Sequence, residues 1–175
     1  MDEDIIKNLE ILRNWLSKAK VSSASHAFSK ILNLFTFEVI AHPGDPEWPQ
    51  RVSEEIIVFR NFKRTIYGDL LPHFRNLQYS WSNEQIFYVE FMDKLTNSWK
   101  KCEITLPKLY PLLPPNSLNA IDGSIRVYSS HTDPNKCLGE ILKRRWDESG
   151  KMGIAHWLIF VEVFWYLLQS PIKIT

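Results

Sequence analysis

The sequence contains few cysteines. Only Cys102 and Cys137 occur among 175 residues, and the first residues, Met1-Asp2-Glu3-Asp4, lack the basic and then apolar leader of a secreted protein. Two cysteines without such a leader do not suggest the disulfide framework of a small secreted domain. We therefore expect a cytoplasmic protein whose thiols stay reduced.

Long apolar runs and net charge are also lacking. The longest apolar stretch, Trp157 to Leu168, is interrupted by Glu162 and is shorter than the roughly 20 residues that a membrane-spanning helix needs. The 21 basic and 20 acidic side chains give a formal net charge of +1, so no overall field attracts nucleic acid or a membrane surface. We expect neither a nucleic-acid partner nor a membrane partner.

Motifs for cofactors and metals are absent from the sequence. No Gly-x-x-x-x-Gly-Lys-Ser/Thr loop and no Gly-x-Gly-x-x-Gly occurs, so the chain should neither activate a substrate with ATP nor bind a dinucleotide. Two cysteines and scattered histidines do not provide paired zinc-ligand spacing. We expect no cofactor and no metal, and we predict structural roles for the histidines at positions 26, 42, 73 and 156.

The residues that are present predict one compact domain with a helical extension at its N-terminal side. Apolar residues recur at helical spacing within residues 4–20, and Ser25 can cap a second short helix. The turn formers from His42 to Pro49 then separate this hairpin from the rest of the chain. We assign residues 1–50 to the extension and linker and residues 51–175 to the core.

The core is predicted to hold an antiparallel sheet between helices. Ser53 should open its first helix, and the last helix carries an apolar stripe from Ile154 to Leu168 that stops before Pro171. Between them, short polar turns separate four strand segments: Leu77, Tyr79 and Trp81; Phe87, Val89 and Phe91; Cys102, Ile104 and Leu106; and Ile125 to Tyr128. A four-stranded antiparallel meander with flanking helices is an α+β fold.

Three motifs in register carry the strongest functional signal. They are Tyr110-Pro111-Leu112-Leu113-Pro114-Pro115, then Cys137-Leu138, then Trp146. Their order and approximate spacing resemble the core of a ubiquitin-conjugating (E2) domain, and the resemblance covers about residues 60 to 170. It implies a ubiquitin-conjugating-enzyme-like fold with a nucleophilic cysteine, and it makes the proline-rich turn and Trp146 the scaffold of the site loop.

Periodicity separates the two cysteines. Cys102 alternates with Ile104 and Leu106, so its side chain should point into the core, whereas Cys137 lies in a polar stretch rich in turn formers. A loop thiol is solvent-reachable, and a nearby lysine or protonated histidine, here Lys136 or His131, lowers its pKa. Cys137 is therefore the candidate nucleophile, although a free cysteine of this kind can also be a small buried side chain.

The resemblance implies that Cys137 accepts the C-terminal carboxyl of a ubiquitin-like protein as a thioester and passes it to an amine. Such acyl transfer needs a donor aimed at the oxyanion, which E2 enzymes usually supply from the asparagine of a His-Pro-Asn tripeptide. The tripeptide is missing here, and the corresponding region reads Ser129-Ser130-His131. We expect His131 to be the donor, with the hydroxyls of Ser129 and Ser130 as alternatives, and Asp133 to orient His131 or accept a proton from the amine.

The front helical hairpin and the missing asparagine look like prokaryotic E2-like proteins, some of which belong to antiphage operons of the CBASS type. That resemblance implies a protein tail as partner, either ubiquitin-like or from a cGAS-like nucleotidyltransferase, and an E1-like activating enzyme. Two alternatives remain open: an E2-like binding module without catalysis that docks such a tail or a partner enzyme, and an interaction protein whose aromatic helix, residues 154–168, packs in an oligomer.

Overall fold

The computed structural model describes residues 36–64, 71, 73–93, 95–130, 138 and 146–169, with side chains of the last helix as far as Glu162. Two helices and five strands occur in this part of the chain: α1 (Trp48–Arg64), β1 (Phe74–Tyr79), β2 (Ile86–Asp93), β3 (Ser98–Thr105), β4 (Ser117–Ala120), β5 (Arg126–Tyr128) and α2 (Ile154–Gln169). The predicted N-terminal hairpin within residues 1–35 lies outside the described residues. Among the described helices, none is long and apolar enough to cross a membrane.

The strands form one sheet in the order β1-β2-β3-β4-β5, and each neighbouring pair is antiparallel. The α+β class and the antiparallel meander are therefore confirmed, but the predicted four strands become five. The strand that the sequence pattern missed is β4, which pairs with β3 and β5. Its four residues show no alternation of buried and exposed side chains, because Ser117, Leu118 and Ala120 are all buried.

Helix α1 begins five residues earlier than the predicted start at Ser53. Pro49 occupies the first turn, where its missing N–H leaves no helical hydrogen bond unmade. Ser53 instead lies one turn inside the helix, and its hydroxyl donates to the Pro49 carbonyl at 3.2 Å. One face of α1 is buried at helical spacing, comprising Trp48, Arg51, Val52, Glu55, Val58, Phe59 and Phe62.

Strand β1 departs from the predicted alternation of Leu77, Tyr79 and Trp81. The pairing register with β2 shifts between Arg75 and Gln78, and Asn76 there has a φ of 56°, a conformation that asparagine tolerates. The bulge buries Phe74 and Leu77, three positions apart. Trp81 lies in the turn after the strand and is 85% exposed. The prediction for this strand was therefore wrong in its period and its end.

The other predicted strands and the last helix are confirmed. Phe87, Val89 and Phe91 are buried along β2, and Cys102 and Ile104 along β3, with less buried residues between them. Helix α2 begins at the predicted Ile154, and every described side chain from Ile154 to Glu162 is buried. Buried residues of α1, α2 and the sheet belong to a single apolar cluster. The sheet face and both helices thus share one core.

Lys100 of β3 binds Asp93 at the end of β2 and two residues of the turn after β4, Asp122 and Ser124. Its ammonium lies 3.1 Å from Asp93 Oδ2 and 3.3 Å from Asp122 Oδ2, and it donates to the Ser124 hydroxyl at 2.8 Å. The hydroxyl and amide of Ser124 both donate to Asp122, and these bonds together with Lys100 lower the pKa of Asp122 to about 2. This cluster ties the β2–β3 hairpin to the Asp122-Gly123 turn.

We expect the Asp122 cluster to make stability depend on pH in the acid range. A carboxyl with a depressed pKa in the folded state favours folding above its unfolded pKa of about 4 and loses that contribution as the pH falls through about 2. Asp122→Asn should therefore flatten the fall of the urea midpoint between about pH 4 and 2 relative to the wild type. Parallel curves for the two proteins over this range would contradict the prediction.

Candidate functional site

The predicted site residues Cys137, His131 and Asp133 lie outside the described residues, as does Lys136. Their proposed roles therefore stay predictions. The structure does describe residues that come shortly before and after them in the chain. We call Pro111, Ser129, Leu138 and Trp146 the site frame.

Leu138 directly follows the candidate nucleophile in the chain and is firmly held. Its side chain is only 1% exposed and belongs to the apolar core, and its amide donates to the Tyr128 carbonyl at 2.9 Å. Tyr128 is the last residue of β5. The residue bonded to Cys137 is thus anchored at the end of the last strand of the sheet.

Ser129 continues β5 toward the predicted site and uses its polar groups within the fold. Its amide donates to the Asn116 carbonyl at 2.9 Å, its hydroxyl donates to the Pro115 carbonyl, and its oxygen accepts from Trp157 Nε1 at 2.9 Å. Because the hydroxyl proton is already donated to Pro115, Ser129 is not the oxyanion donor that we considered as an alternative. Ser130, whose side chain is exposed, stays an alternative to His131 for that role.

The proline-rich turn and Trp146 are in contact, as the predicted scaffold requires. Trp146 Nε1 donates to the Pro111 carbonyl at 3.0 Å, and the rings of Trp146 and Tyr110 lie 6.5 Å apart. The Tyr110-Pro111 peptide bond is cis. Through Ser129 the other end of the same turn, Pro115, is bonded to the chain just after β5. The turn therefore contacts the chain both before and after the segment that contains Cys137.

The pattern of the sequence did not reveal a buried ion pair next to this turn. Arg51 Nε donates to Glu55 Oε2 at 3.0 Å, and both side chains are fully buried. Glu55 also accepts the hydroxyl proton of Tyr110 and, at 2.9 Å, the amide proton of Ile154. The available signal was the position of these two charges on the apolar stripe of α1, since charged residues are almost never fully buried unless paired.

Arg51 also makes three hydrogen bonds to backbone carbonyls. Nη1 donates to Val39 at 2.8 Å and to Gly150 at 2.9 Å, and Nη2 donates to Met152 at 2.8 Å. The guanidinium carbon also lies 3.8 Å from the centre of the Phe37 ring. The pair therefore meets the requirement that buried charges be both paired and hydrogen-bonded.

The surroundings of Arg51 and Tyr110 shift the pKa of both groups. Burial is the largest single influence on Arg51 and lowers its pKa, but Glu55 and Tyr110 together outweigh burial, and the net pKa is raised. Burial and the neighbouring Glu55 charge together raise the pKa of Tyr110 well above its usual 10. Arg51 is thus a cation and Tyr110 a neutral donor at neutral pH.

Three of the histidines predicted as structural have partners within the fold. His42 Nδ1 lies 2.9 Å from the Tyr110 carbonyl, His73 Nδ1 contacts Glu162 Oε1, and His156 Nδ1 accepts from the Gly153 amide at 3.1 Å. These contacts fit the structural roles that we predicted. His26 lies outside the described residues.

Cys102 is a core residue, as its alternation predicted. Its side chain is fully buried, and the Sγ atom lies 3.6 Å from the Lys100 carbonyl. Burial, with a smaller effect of the Asp122 charge, raises the pKa of the thiol to about 12. Because the thiolate is the reacting species, Cys102 is not a nucleophile in the folded protein.

We expect the variant Cys137→Ala to resist thiol reagents as long as it is folded. A pKa of about 12 leaves roughly one part in ten thousand of Cys102 as thiolate at pH 8, and burial excludes the reagent. Labelling with a maleimide should therefore begin only when urea unfolds the chain. The unfolded variant is the control for reagent activity, and rapid labelling under native conditions would contradict the assignment of Cys102 to the core.

Comparison with known proteins does not place the chain in a family. No family model matches the sequence, and no curated protein matches it either.

Proposed function

We propose that the protein is an E2-like cysteine acyltransferase. Cys137 takes the C-terminal carboxyl of a ubiquitin-like protein or of a cGAS-like nucleotidyltransferase as a thioester and passes it to an amine. An E1-like enzyme activates the carboxyl, because this sequence contains no nucleotide-binding motif. The biological setting that we propose is bacterial antiphage defence of the CBASS type.

The observation that supports the proposal is that the proline-rich turn contacts described residues that lie before and after Cys137 in the chain. The proline-rich turn bonds to Trp146 through the Pro111 carbonyl, and to the end of β5 through the Pro115 carbonyl and Ser129. Leu138 is anchored one residue away, at Tyr128. The proline-rich turn, the end of β5 and Trp146 are thus linked to one another, and Leu138 is the described residue next to Cys137 in the chain. The α+β fold with an antiparallel meander is compatible with this proposal.

The proposed reaction has two acyl-transfer steps. The Cys137 thiolate attacks the carbonyl carbon of the thioester on the activating enzyme, and the cysteine thiolate of the activating enzyme leaves. An amine nitrogen then attacks the new thioester and loses a proton, for which Asp133 is the proposed acceptor, and the Cys137 thiolate leaves. The oxyanion of each tetrahedral intermediate accepts a hydrogen bond from His131.

The missing His-Pro-Asn tripeptide favours a second candidate, an E2-like module that binds the tail or the partner enzyme without forming a thioester. The third reading, an oligomer built on the aromatic helix, loses support because the described side chains of that helix, Ile154 to Glu162, are buried in the chain's own fold.

The deciding experiment is a thioester assay with purified activating enzyme, ATP and tails taken from ubiquitin-like proteins and nucleotidyltransferases. We expect an adduct that reductant removes, formed by the wild type and by the control variant Cys102→Ala, and absent with Cys137→Ala. If no tail forms an adduct, the acyltransferase proposal is wrong and the binding module is the candidate that remains. Tail binding without an adduct, measured by calorimetry, would then support that second candidate.

A further inference from the structure

We infer that Arg51 and Glu55 are positioning residues for the site frame. The inference rests on the proposed function, because it assigns the frame to an acyltransferase site. The buried ion pair binds both the turn that holds Trp146 and the segment that follows Trp146. In all it joins four chain segments: residues 37–41, α1, the proline-rich turn and residues 150–154.

The ion pair holds the backbone of the segment that follows Trp146. Arg51 bonds the carbonyls of Gly150 and Met152, and Glu55 bonds the amide of Ile154, so every second residue of this segment has a backbone group fixed by the pair. A methyl group placed on Gly153 would lie 2.3 Å from Glu55 Oε1. The carboxylate therefore lies directly against the backbone of this segment.

Glu55 also holds the proline-rich turn, through Tyr110. The other Glu55 oxygen accepts the Tyr110 hydroxyl, and Tyr110 precedes Pro111, whose carbonyl holds Trp146. On the far side, His42 Nδ1 lies 2.9 Å from the Tyr110 carbonyl. One carboxylate thus fixes the turn that holds Trp146 and the segment that follows Trp146.

The residue types fit a positioning role. Four backbone and side-chain acceptors around one guanidinium need the planar fork of arginine, which a lysine ammonium cannot replace. An apolar pair of similar volume is often as good as a buried ion pair, or better, for stability. The ion pair differs from an apolar pair in fixing the direction of each of its hydrogen bonds. One of these bonds holds Tyr110, which precedes Pro111 of the site frame.

The test uses two substitutions that keep an aromatic ring and remove one hydrogen-bond donor. Tyr110→Phe breaks the link from Glu55 to the turn, and Trp146→Phe breaks the link from the turn to the frame. Tyr79→Phe is the matched control, because the Tyr79 hydroxyl accepts from Trp48 of the same helix α1 but has no bond to the frame. All variants carry Cys102→Ala, so that only Cys137 reacts, and urea unfolding identifies those that are folded.

Two readouts separate positioning from a structural role. The first is the rate of Cys137 alkylation by iodoacetamide as a function of pH, which needs no partner protein. The second is the rate of thioester formation at saturating and at limiting tail concentrations. We expect Tyr110→Phe and Trp146→Phe each to shift the alkylation profile and to lower the saturated thioester rate about tenfold, because small displacements of a reacting group have effects of this order.

The double variant should lose no more than either single variant, because both bonds lie on one path. The inference is wrong if Tyr110→Phe and Trp146→Phe are folded and have the same alkylation profile and thioester rate as Tyr79→Phe. In that case thioester formation by the wild type still supports the proposed function. If the wild type forms no thioester, the proposed function fails, and shifted alkylation profiles still establish the positioning of Cys137.

Discussion

Replacing Glu55 with alanine is expected to lower the free energy of unfolding by about 3–5 kcal/mol. The substitution leaves the Arg51 guanidinium fully buried without its counter-charge, and it removes the acceptors of the Tyr110 hydroxyl and the Ile154 amide. An uncompensated buried charge is among the few causes of effects this large. Urea unfolding at neutral pH, with equal slopes for wild type and variant, measures the difference.

The matched control is Glu90→Ala. Glu90 also pairs with an arginine, Arg75, at 3.2 Å, but both side chains are partly exposed, so its loss should change stability by no more than about 1 kcal/mol. The comparison separates the burial of an ion pair from its mere presence. Similar losses for the two variants would mean that the Arg51–Glu55 pair is no more important to the fold than a surface pair.

The parts of the fold that could be predicted are those where burial follows a regular period. Strand β2 alternates over eight residues, so local pattern and tertiary burial agree. The start of α2 was also predicted, although its described side chains are buried on every side rather than along one stripe. The bulge at Asn76 breaks the period of β1, and β4 is buried on nearly every residue, so neither has a pattern to detect. Both errors arose where neighbouring strands, rather than local sequence, determine the conformation.

For the candidate site, only the predicted scaffold can be compared with the structure, because Cys137, His131 and Asp133 lie outside the described residues. The order of the motifs was enough to predict that the proline-rich turn and Trp146 act together, and their contact through the Pro111 carbonyl agrees with this. The buried pair of Arg51 and Glu55 was not predicted, because their position on the apolar stripe of α1 was the only signal, and an arginine and a glutamate four residues apart are also typical of an exposed helix face. Their partners Gly150 and Met152 lie about a hundred residues away along the chain.

Replacing Trp157 with alanine should also lower the free energy of unfolding by about 3–5 kcal/mol. Trp157 is fully buried in α2 and is among the largest side chains of the core, so its removal leaves a cavity that the surrounding sheet and helix cannot fill. Trp81→Ala is the control of the same residue type. Because Trp81 is 85% exposed, its loss should change the urea midpoint little.

Trp157→Phe then separates packing from the bond to the site frame. The phenyl ring fills most of the space of the indole, but it removes the donor to the Ser129 hydroxyl oxygen. We expect a loss of about 1–2 kcal/mol, close to that of one buried hydrogen bond with some loss of packing. A loss as large as that of Trp157→Ala would show that the bond to Ser129, rather than the volume of the ring, holds the end of β5 against α2. A loss near zero would show that Ser129 keeps its place without the Trp157 bond, with its bonds to Pro115 and Asn116 still in place.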